Sequence, residues 1–158
     1  MIVADLIAQH VIEVHEGNNW TEVSLAATLH DVTLAEATTH TAASPNTIAA
    51  ILHHLTFWNR VMVRRSQGIA TDVGEANGFD VPTIHTEADW HALQADNRAS
   101  AYELAAAIRA VREDHLSEPI MPGYSSAYKN LQGSVEHIHY HLGQVVILKN
   151  LVRHSPTL

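Results

Sequence analysis

Four segments of the chain repeat apolar residues at the spacing of an α-helix, and no segment alternates apolar and polar residues as a strand does. They cover residues 3–17, 44–68, 86–116 and 131–152. Each apolar stripe has to be buried, and four long helices without a sheet bury their stripes against one another. The pattern therefore predicts an all-α fold, a four-helix bundle.

Capping signals mark the start of two of these helices. Ser44 can accept hydrogen bonds from the first turn of the second helix, and Pro45 suits its first helical position. At the start of the third helix, Thr86 and Asp89 resemble a capping box in which the usual glutamate is replaced by a shorter acid. Both helices are predicted to begin at these residues.

The connections between the helices differ in character. Residues 18–43 are predicted to hold one or two short helices, packed across an end of the bundle around Val23, Leu25 and Leu29. Residues 69–85 show no period and contain two glycines and a proline. Fully extended, this second connection could reach roughly 55 Å, which is long enough for the second and third helices to run parallel.

Length, charge and composition exclude several classes of function. A chain of 158 residues can bury a core as one domain, here residues 1–158. Its formal net charge of −8 disfavours nucleic acid and anionic membrane surfaces as partners, because both attract basic patches. No apolar run approaches the roughly 20 residues of a membrane span, and the N-terminus carries neither a basic leader nor a small-residue cleavage site. The protein is therefore expected to be cytoplasmic, without a membrane partner.

Histidine and carboxylate must carry any chemistry, because the chain contains no cysteine. Among 13 dispersed histidines, His137 and His141 stand four positions apart in the fourth helix, so their rings project from one face. His139 points about 160° away from both and cannot share a site with them. A histidine pair at this spacing, taken alone, is more often structural than metal-binding.

A third histidine, on the buried face of the second helix, strengthens the metal hypothesis. The helical period puts His54 on the apolar stripe with Leu55, whereas His53 falls outside it. Burying imidazoles without partners costs on the order of 1–3 kcal/mol for each ring, and one metal ion would satisfy a nitrogen of all three. A catalytic metal usually has three protein ligands and an open position. His54, His137 and His141 are therefore the predicted ligands.

Residues near these histidines are candidate helpers. Gln144 follows His141 by three residues, which places it to touch a ligand ring or the substrate. Tyr140 and His53 are weaker candidates. The chain has no H-E-x-x-H motif, which disfavours a zinc protease, and no carboxylate can be placed beside the site as a general base.

Three stretches resemble the DinB/YfiT-like superfamily of metal-dependent enzymes. They are NNWTEVSLAATLHDVTLAEATTH (18–40), NTIAAILHHLTFWNRVMVRRSQG (46–68) and SVEHIHYHLGQVVILKNL (134–151). The most specific element is HYHLGQ, which belongs to the family pattern H-x-x-x-H-x-G-Q of the fourth helix. The resemblance covers most of the chain. It implies a bundle in up-down-down-up order, homodimers, and a divalent metal ion on three histidines, which correspond to His54, His137 and His141.

Several metals and reactions fit these ligands. Three imidazoles suit zinc, nickel, iron and copper; zinc and nickel are favoured, and iron is a further candidate. An ion with an open position could activate water or a low-molecular-weight thiol, so the expected function is a hydrolase or a thiol-dependent transferase with a small-molecule substrate. The alternative is a metal-binding or sensor bundle without catalysis. A plain helical dimer with structural histidines is a third hypothesis.

The remaining aromatic and histidine residues are interpreted as structural. The tryptophans are predicted to be core or end-packing anchors: Trp20, Trp58 and Trp90. His10 lies close enough to the first stripe to be a fourth ligand, but a partly buried structural role is expected. The other histidines are expected to face solvent or cap helix ends: His15, His30, His40, His85, His91, His115 and His154. The acidic segment DVGEANGFD (72–80) is predicted to be a solvated loop, with a lid over the site as the alternative.

Overall fold

The computed structural model describes residues 3–154 and, within them, six α-helices and no β-strand. In chain order the helices are α1 (Val3–Glu16), α2 (Leu25–Leu29), α3 (Leu34–Thr38), α4 (Ile48–Ser66), α5 (Glu87–Arg109) and α6 (Ala127–His154). A single 3₁₀ turn, Glu113–His115, lies between α5 and α6. The prediction of an all-α fold with four long helices is confirmed, as are the short helices of the first connection.

The apolar stripes of the long helices meet in one core. α1 and α4 each contact both α5 and α6. All four contribute fully buried side chains, among them Val11, Leu55, Leu104 and Ile138. The sequence pattern puts Leu6 on the first apolar stripe with Ile7, Val11 and Val14, but Leu6 is 52% exposed. It lies about 100° round the helix from Ile7, which takes the inward position instead.

The two predicted helix starts have different outcomes. α5 begins as predicted, because the Thr86 hydroxyl accepts from the Asp89 amide and the Asp89 carboxylate accepts from the Thr86 amide. α4 does not begin at Ser44, since Thr47 is its cap and accepts from the Ala50 amide at 3.2 Å. The Ser44 hydroxyl instead accepts from the Asn46 amide in a turn that precedes the helix.

α5 ends earlier than the apolar pattern predicted. Its last residue is Arg109, and the chain turns there instead of continuing to Leu116. The positions four and seven residues after Ile108, which would extend the inward face, are the exposed Arg112 and His115. Leu116 is still buried in the core, although it lies outside the helix.

The first connection packs its short helices against the bundle. Leu25 and Leu29 are buried as predicted, while Val23 is 40% exposed. Lys149 of α6 donates to the Asp31 carboxylate at 2.6 Å, which ties this connection to the last long helix. None of the helices between residues 3 and 154 is both long and apolar enough to cross a membrane.

The three tryptophans have three different environments. Trp90 is fully buried and donates its indole N–H to the Val32 carbonyl at 2.7 Å, as expected of a core anchor. Trp20 is 95% exposed, so its prediction as an anchor is wrong. It lies in the turn after α1, outside the apolar faces of the helices. Trp58 is half-buried on α4, where it borders a cavity.

Candidate metal centre

Three histidine rings from two helices converge at one point between α4 and α6. His54, His137 and His141 place their ring nitrogens within 4.8 Å of one another. Nε2 of His54 lies 3.0 Å from Nε2 of His137, and the His141 ring centroid is 4.7 Å from that of His54. Two nitrogens bound to one tetrahedral zinc ion stand roughly 3.3 Å apart. The group could therefore hold a divalent metal ion.

Hydrogen bonds on the far side of two rings fix how they face the cluster. Nδ1 of His54 donates to the Asn77 carbonyl at 2.6 Å, and Nδ1 of His141 donates to Oε1 of Gln144 at 2.8 Å. Because each Nδ1 carries the proton of its ring, each Nε2 is left with a lone pair. Those lone pairs are the ones available to a metal ion.

The cluster is electrostatically suited to a cation. Burial lowers the pKa of His54 to about 4, although its bond to Asn77 acts in the opposite direction. Burial and the neighbouring rings of His141 and His54 lower the pKa of His137 to about 4, and burial also lowers the pKa of His141. All three rings are therefore neutral at pH 7, which is the form that binds metals without first losing a proton.

Part of the connection between α4 and α5 packs on the cluster. The Phe79 ring stacks on the His54 ring with centroids 3.9 Å apart. The Asn77 side chain accepts from the indole N–H of Trp58 at 3.0 Å. Gly78 has a φ of +76°, and a Cβ there would lie 2.7 Å from Phe57. Glycine thus lets this segment run close against α4.

A cavity opens beside the three histidines. Its volume is about 520 Å³, the size of a site for a small organic molecule. Trp58, Met62 and Phe79 supply apolar surface, and Asn59 and Ser134 supply polar groups. The three rings form part of its wall, so a ligand in the cavity would reach any ion that they hold.

The family model described as the DinB superfamily matches residues 19–145 of this chain. The chain belongs to the DinB superfamily. The matched range contains all three clustered histidines and the complete helices α2 to α5. Comparisons with curated proteins and with solved structures found no match. The resemblance inferred from the sequence motifs is confirmed at the level of the family.

In this DinB-superfamily chain the predicted helper residues have different environments. Gln144 contacts His141, as its spacing predicted. His53 is turned away from the cluster, because its Nδ1 donates to the Gly78 carbonyl at 2.8 Å. Tyr140 lies beside His141 with ring centroids 4.9 Å apart, but its side chain is 65% exposed. Gln144 is therefore the helper that the geometry supports best.

The histidines predicted to lie outside the site do lie outside it. One of them, His15, is buried, contrary to the prediction. His139 faces His10 of α1 at a centroid distance of 5.6 Å, away from the cluster. His15 was expected to face solvent or cap a helix, but it is 3% exposed. Its Nδ1 donates to the Val11 carbonyl one turn earlier, which allows the ring to pack inward. Burial lowers the pKa of His15, so this ring is neutral at pH 7.

Two DinB-superfamily residues at the site were missed by sequence reasoning. Asn77 and Phe79 lie in the segment 72–80, which was interpreted as a solvated loop. The acids of that segment are exposed, as expected for a loop, but Asn77 and Phe79 contact the His54 ring. For these two residues the description as a solvated loop is wrong, because they pack on His54. The dipeptide Asn77-Gly78 signals a turn, but a turn signal does not say what the turn packs against.

Proposed function

We propose that this chain is a metal-dependent enzyme in which His54, His137 and His141 hold a divalent metal ion. Part of the coordination sphere of this ion stays open to a small-molecule substrate. The observation that carries the proposal is the convergence of three neutral imidazoles on the wall of a cavity of about 520 Å³. Three protein ligands and one open position are the arrangement of catalytic zinc sites.

The proposed reaction is hydrolysis or transfer to a low-molecular-weight thiol. When bound, a divalent ion supplies a Lewis acid that activates water or a thiol at neutral pH. Asn77 and Gln144 hold two of the rings in the tautomer that an ion requires. Phe79 stacks on the His54 ring and Trp58 lies edge-on to it, so both pack against this proposed ligand. Zinc and nickel are the favoured ions and iron the next candidate, because all three accept imidazole ligands.

Elemental analysis of protein purified without a histidine tag tests the metal site. We expect about one equivalent of a divalent ion per chain. Each of His54→Ala, His137→Ala and His141→Ala should remove most of it. His139→Ala, on α6 between two of the proposed ligands, is the matched control and should keep its metal. Full metal content in the first three variants would overturn the assignment.

Turnover separates an enzyme from a metal-binding or sensor protein without catalysis. Metal-loaded protein would be screened for hydrolysis of activated esters and amides and for transfer of small thiols to electrophiles. An enzyme should show activity that disappears in His137→Ala. A sensor would show only a higher melting temperature on adding metal, because a ligand that binds the folded state stabilises it.

We also propose that the chain forms a homodimer. The support is an apolar strip on the outer face of α6, where Tyr140 and Ile147 are 65% and 60% exposed. Their spacing of seven residues puts both on one face, with Gly143 between them.

A cytoplasmic location, a single domain over residues 1–158 and the up-down-down-up order of the helices remain predictions.

A further inference from the structure

The cavity beside the histidines is lined by two cationic side chains, Arg65 and Lys129. Aspartate and glutamate are absent from its lining among residues 3–154. This is the reverse of the whole chain, whose formal net charge is −8. A positive wall in an acidic protein concentrates anions in this cavity.

The guanidinium of Arg65 packs against two aromatic rings and forms no ion pair with any carboxylate between residues 3 and 154. Its guanidinium lies 5.2 Å from the ring centroid of Trp58 and 5.1 Å from that of Tyr124. Its Nε is buried and makes no hydrogen bond within the part of the chain that the structure describes. By contrast Arg60, also on α4, pairs with Asp96 and Glu103. Arg65 thus brings to the cavity wall a positive charge that no described carboxylate neutralises.

Lys129 brings a second unpaired charge from the opposite wall. It lies in the first turn of α6, and its amine forms no ion pair with any described carboxylate. Ser125 and Asn130 border the same cavity and add polar groups beside it. Arg65 and Lys129 therefore form a cationic pair that faces one space.

The helical rise sets the distance between this pair and the histidines. Arg65 follows His54 by 11 residues, about three turns, so it lies on the same face of α4 and roughly 16 Å further along the axis. Lys129 precedes His137 by eight residues, roughly 12 Å along α6. Allowing for the reach of the side chains, the gap to be spanned is on the order of 10 Å.

We infer that the substrate is an elongated organic acid whose carboxylate binds Arg65 and Lys129 while its opposite end reaches the three histidines. The apolar surface of Trp58 and Met62, four and eight residues after His54 on α4, lies between these ends and suits an apolar middle. This inference rests on the proposed function, because it takes the histidine cluster as the reacting end. Beyond the proposed function, it specifies that the substrate has an anionic end, an apolar middle and a length that spans the cavity.

The binding of two thiols of matched length to Co²⁺-loaded protein tests the inference. The absorption spectrum of the bound Co²⁺ ion reports whether a thiolate coordinates it. 8-Mercaptooctanoate and 8-mercapto-1-octanol differ only in the group that would face the cationic pair. We expect the acid to bind at least about tenfold more tightly, as for a charge-assisted hydrogen bond in a partly dry site. Arg65→Gln and Lys129→Gln should each remove most of this preference.

Arg64→Gln is the matched control, because it removes the same charge from the neighbouring position. Arg64 is exposed, donates to Thr71, and lies outside the lining of this cavity. It should leave the preference for the acid unchanged. The inference would be overturned if the two thiols bound with equal affinity, or if the Arg64 and Arg65 variants lost the preference for the acid equally. Neither result would contradict the metal site.

A measurement without metal separates this inference from the proposed function. Octanoate should bind the metal-free protein in calorimetry, and Arg65→Gln should weaken that binding at least about threefold relative to Arg64→Gln. If no thiolate band forms on the Co²⁺ protein, the open coordination position is wrong. The octanoate comparison then decides the inference alone, and equal binding by the two variants would reject it.

Discussion

At the scale of single residues, Gln144 is the side chain that would position a proposed metal ligand without touching the ion itself. Its Oε1 accepts from Nδ1 of His141 at 2.8 Å, which holds the ring with its other nitrogen toward the cluster. Removing such a partner typically costs 10- to 100-fold in metal affinity. Gln144→Ala should therefore weaken metal binding by about that factor, measured by competition with a chromophoric chelator.

The conservative variant Gln144→Glu tells a positioning role from a merely structural one. A carboxylate also accepts from Nδ1, so this variant should restore most of the metal affinity that alanine loses. The melting temperatures of the two metal-free variants should be similar, because Gln144 lies at the edge of the bundle and is only half-buried. Unchanged metal affinity in Gln144→Ala would contradict this role.

At the scale of elements, the long helices and the three histidines could be predicted because helical periodicity is local. One apolar stripe per helix fixes which face is buried, and it separates His54 from His53 without any knowledge of neighbours. Helix ends were less predictable, because both Ser44 and Thr47 are residue types that cap helices, and their types alone do not tell which of them does so. The contact of Phe79 with His54 could not be predicted, since residues 69–85 have no period that would orient them.

Substitution of Gly78 tests whether the packing of residues 77–79 against α4 supports the metal site. A side chain at this position would lie 2.7 Å from Phe57 and would push residues 77–79 away from α4. Gly78→Ala should therefore weaken metal binding and destabilise the metal-free protein by about 1–3 kcal/mol, the usual cost of a strained backbone position. Chemical denaturation and chelator competition would measure the two effects.

Gly74→Ala is the control for backbone strain without a clash. Gly74 also has a positive φ, +58°, but a Cβ there would have no neighbour within 4 Å. The Gly74→Ala variant should have a lower free energy of unfolding than the parent chain. It should keep its metal affinity, because the substitution does not move Asn77 or Phe79. If both alanine variants bind metal as tightly as the parent chain, the segment 77–79 does not support the site.

At the scale of the whole molecule, the strip on the outer face of α6 predicts how two chains would meet. Exposed apolar side chains at helical spacing favour association, and a two-fold axis would bring the same strip of both copies together. The small Gly143 between Tyr140 and Ile147 would let two α6 helices approach closely. We therefore expect dimers in sedimentation velocity, and monomers after Ile147→Glu, because each dimer would bury two new charges.

Leu6→Glu is the matched control for this change, since Leu6 is an apolar residue of similar exposure, 52%, on a different helix. It adds the same charge to α1 and should leave the dimer intact. Ile147 lies six residues beyond His141 and faces away from the core, so its variant should also keep the metal content of the parent chain. Parent protein that sediments as a monomer at all concentrations, or a Leu6 variant that dissociates equally, would show that α6 is not the interface.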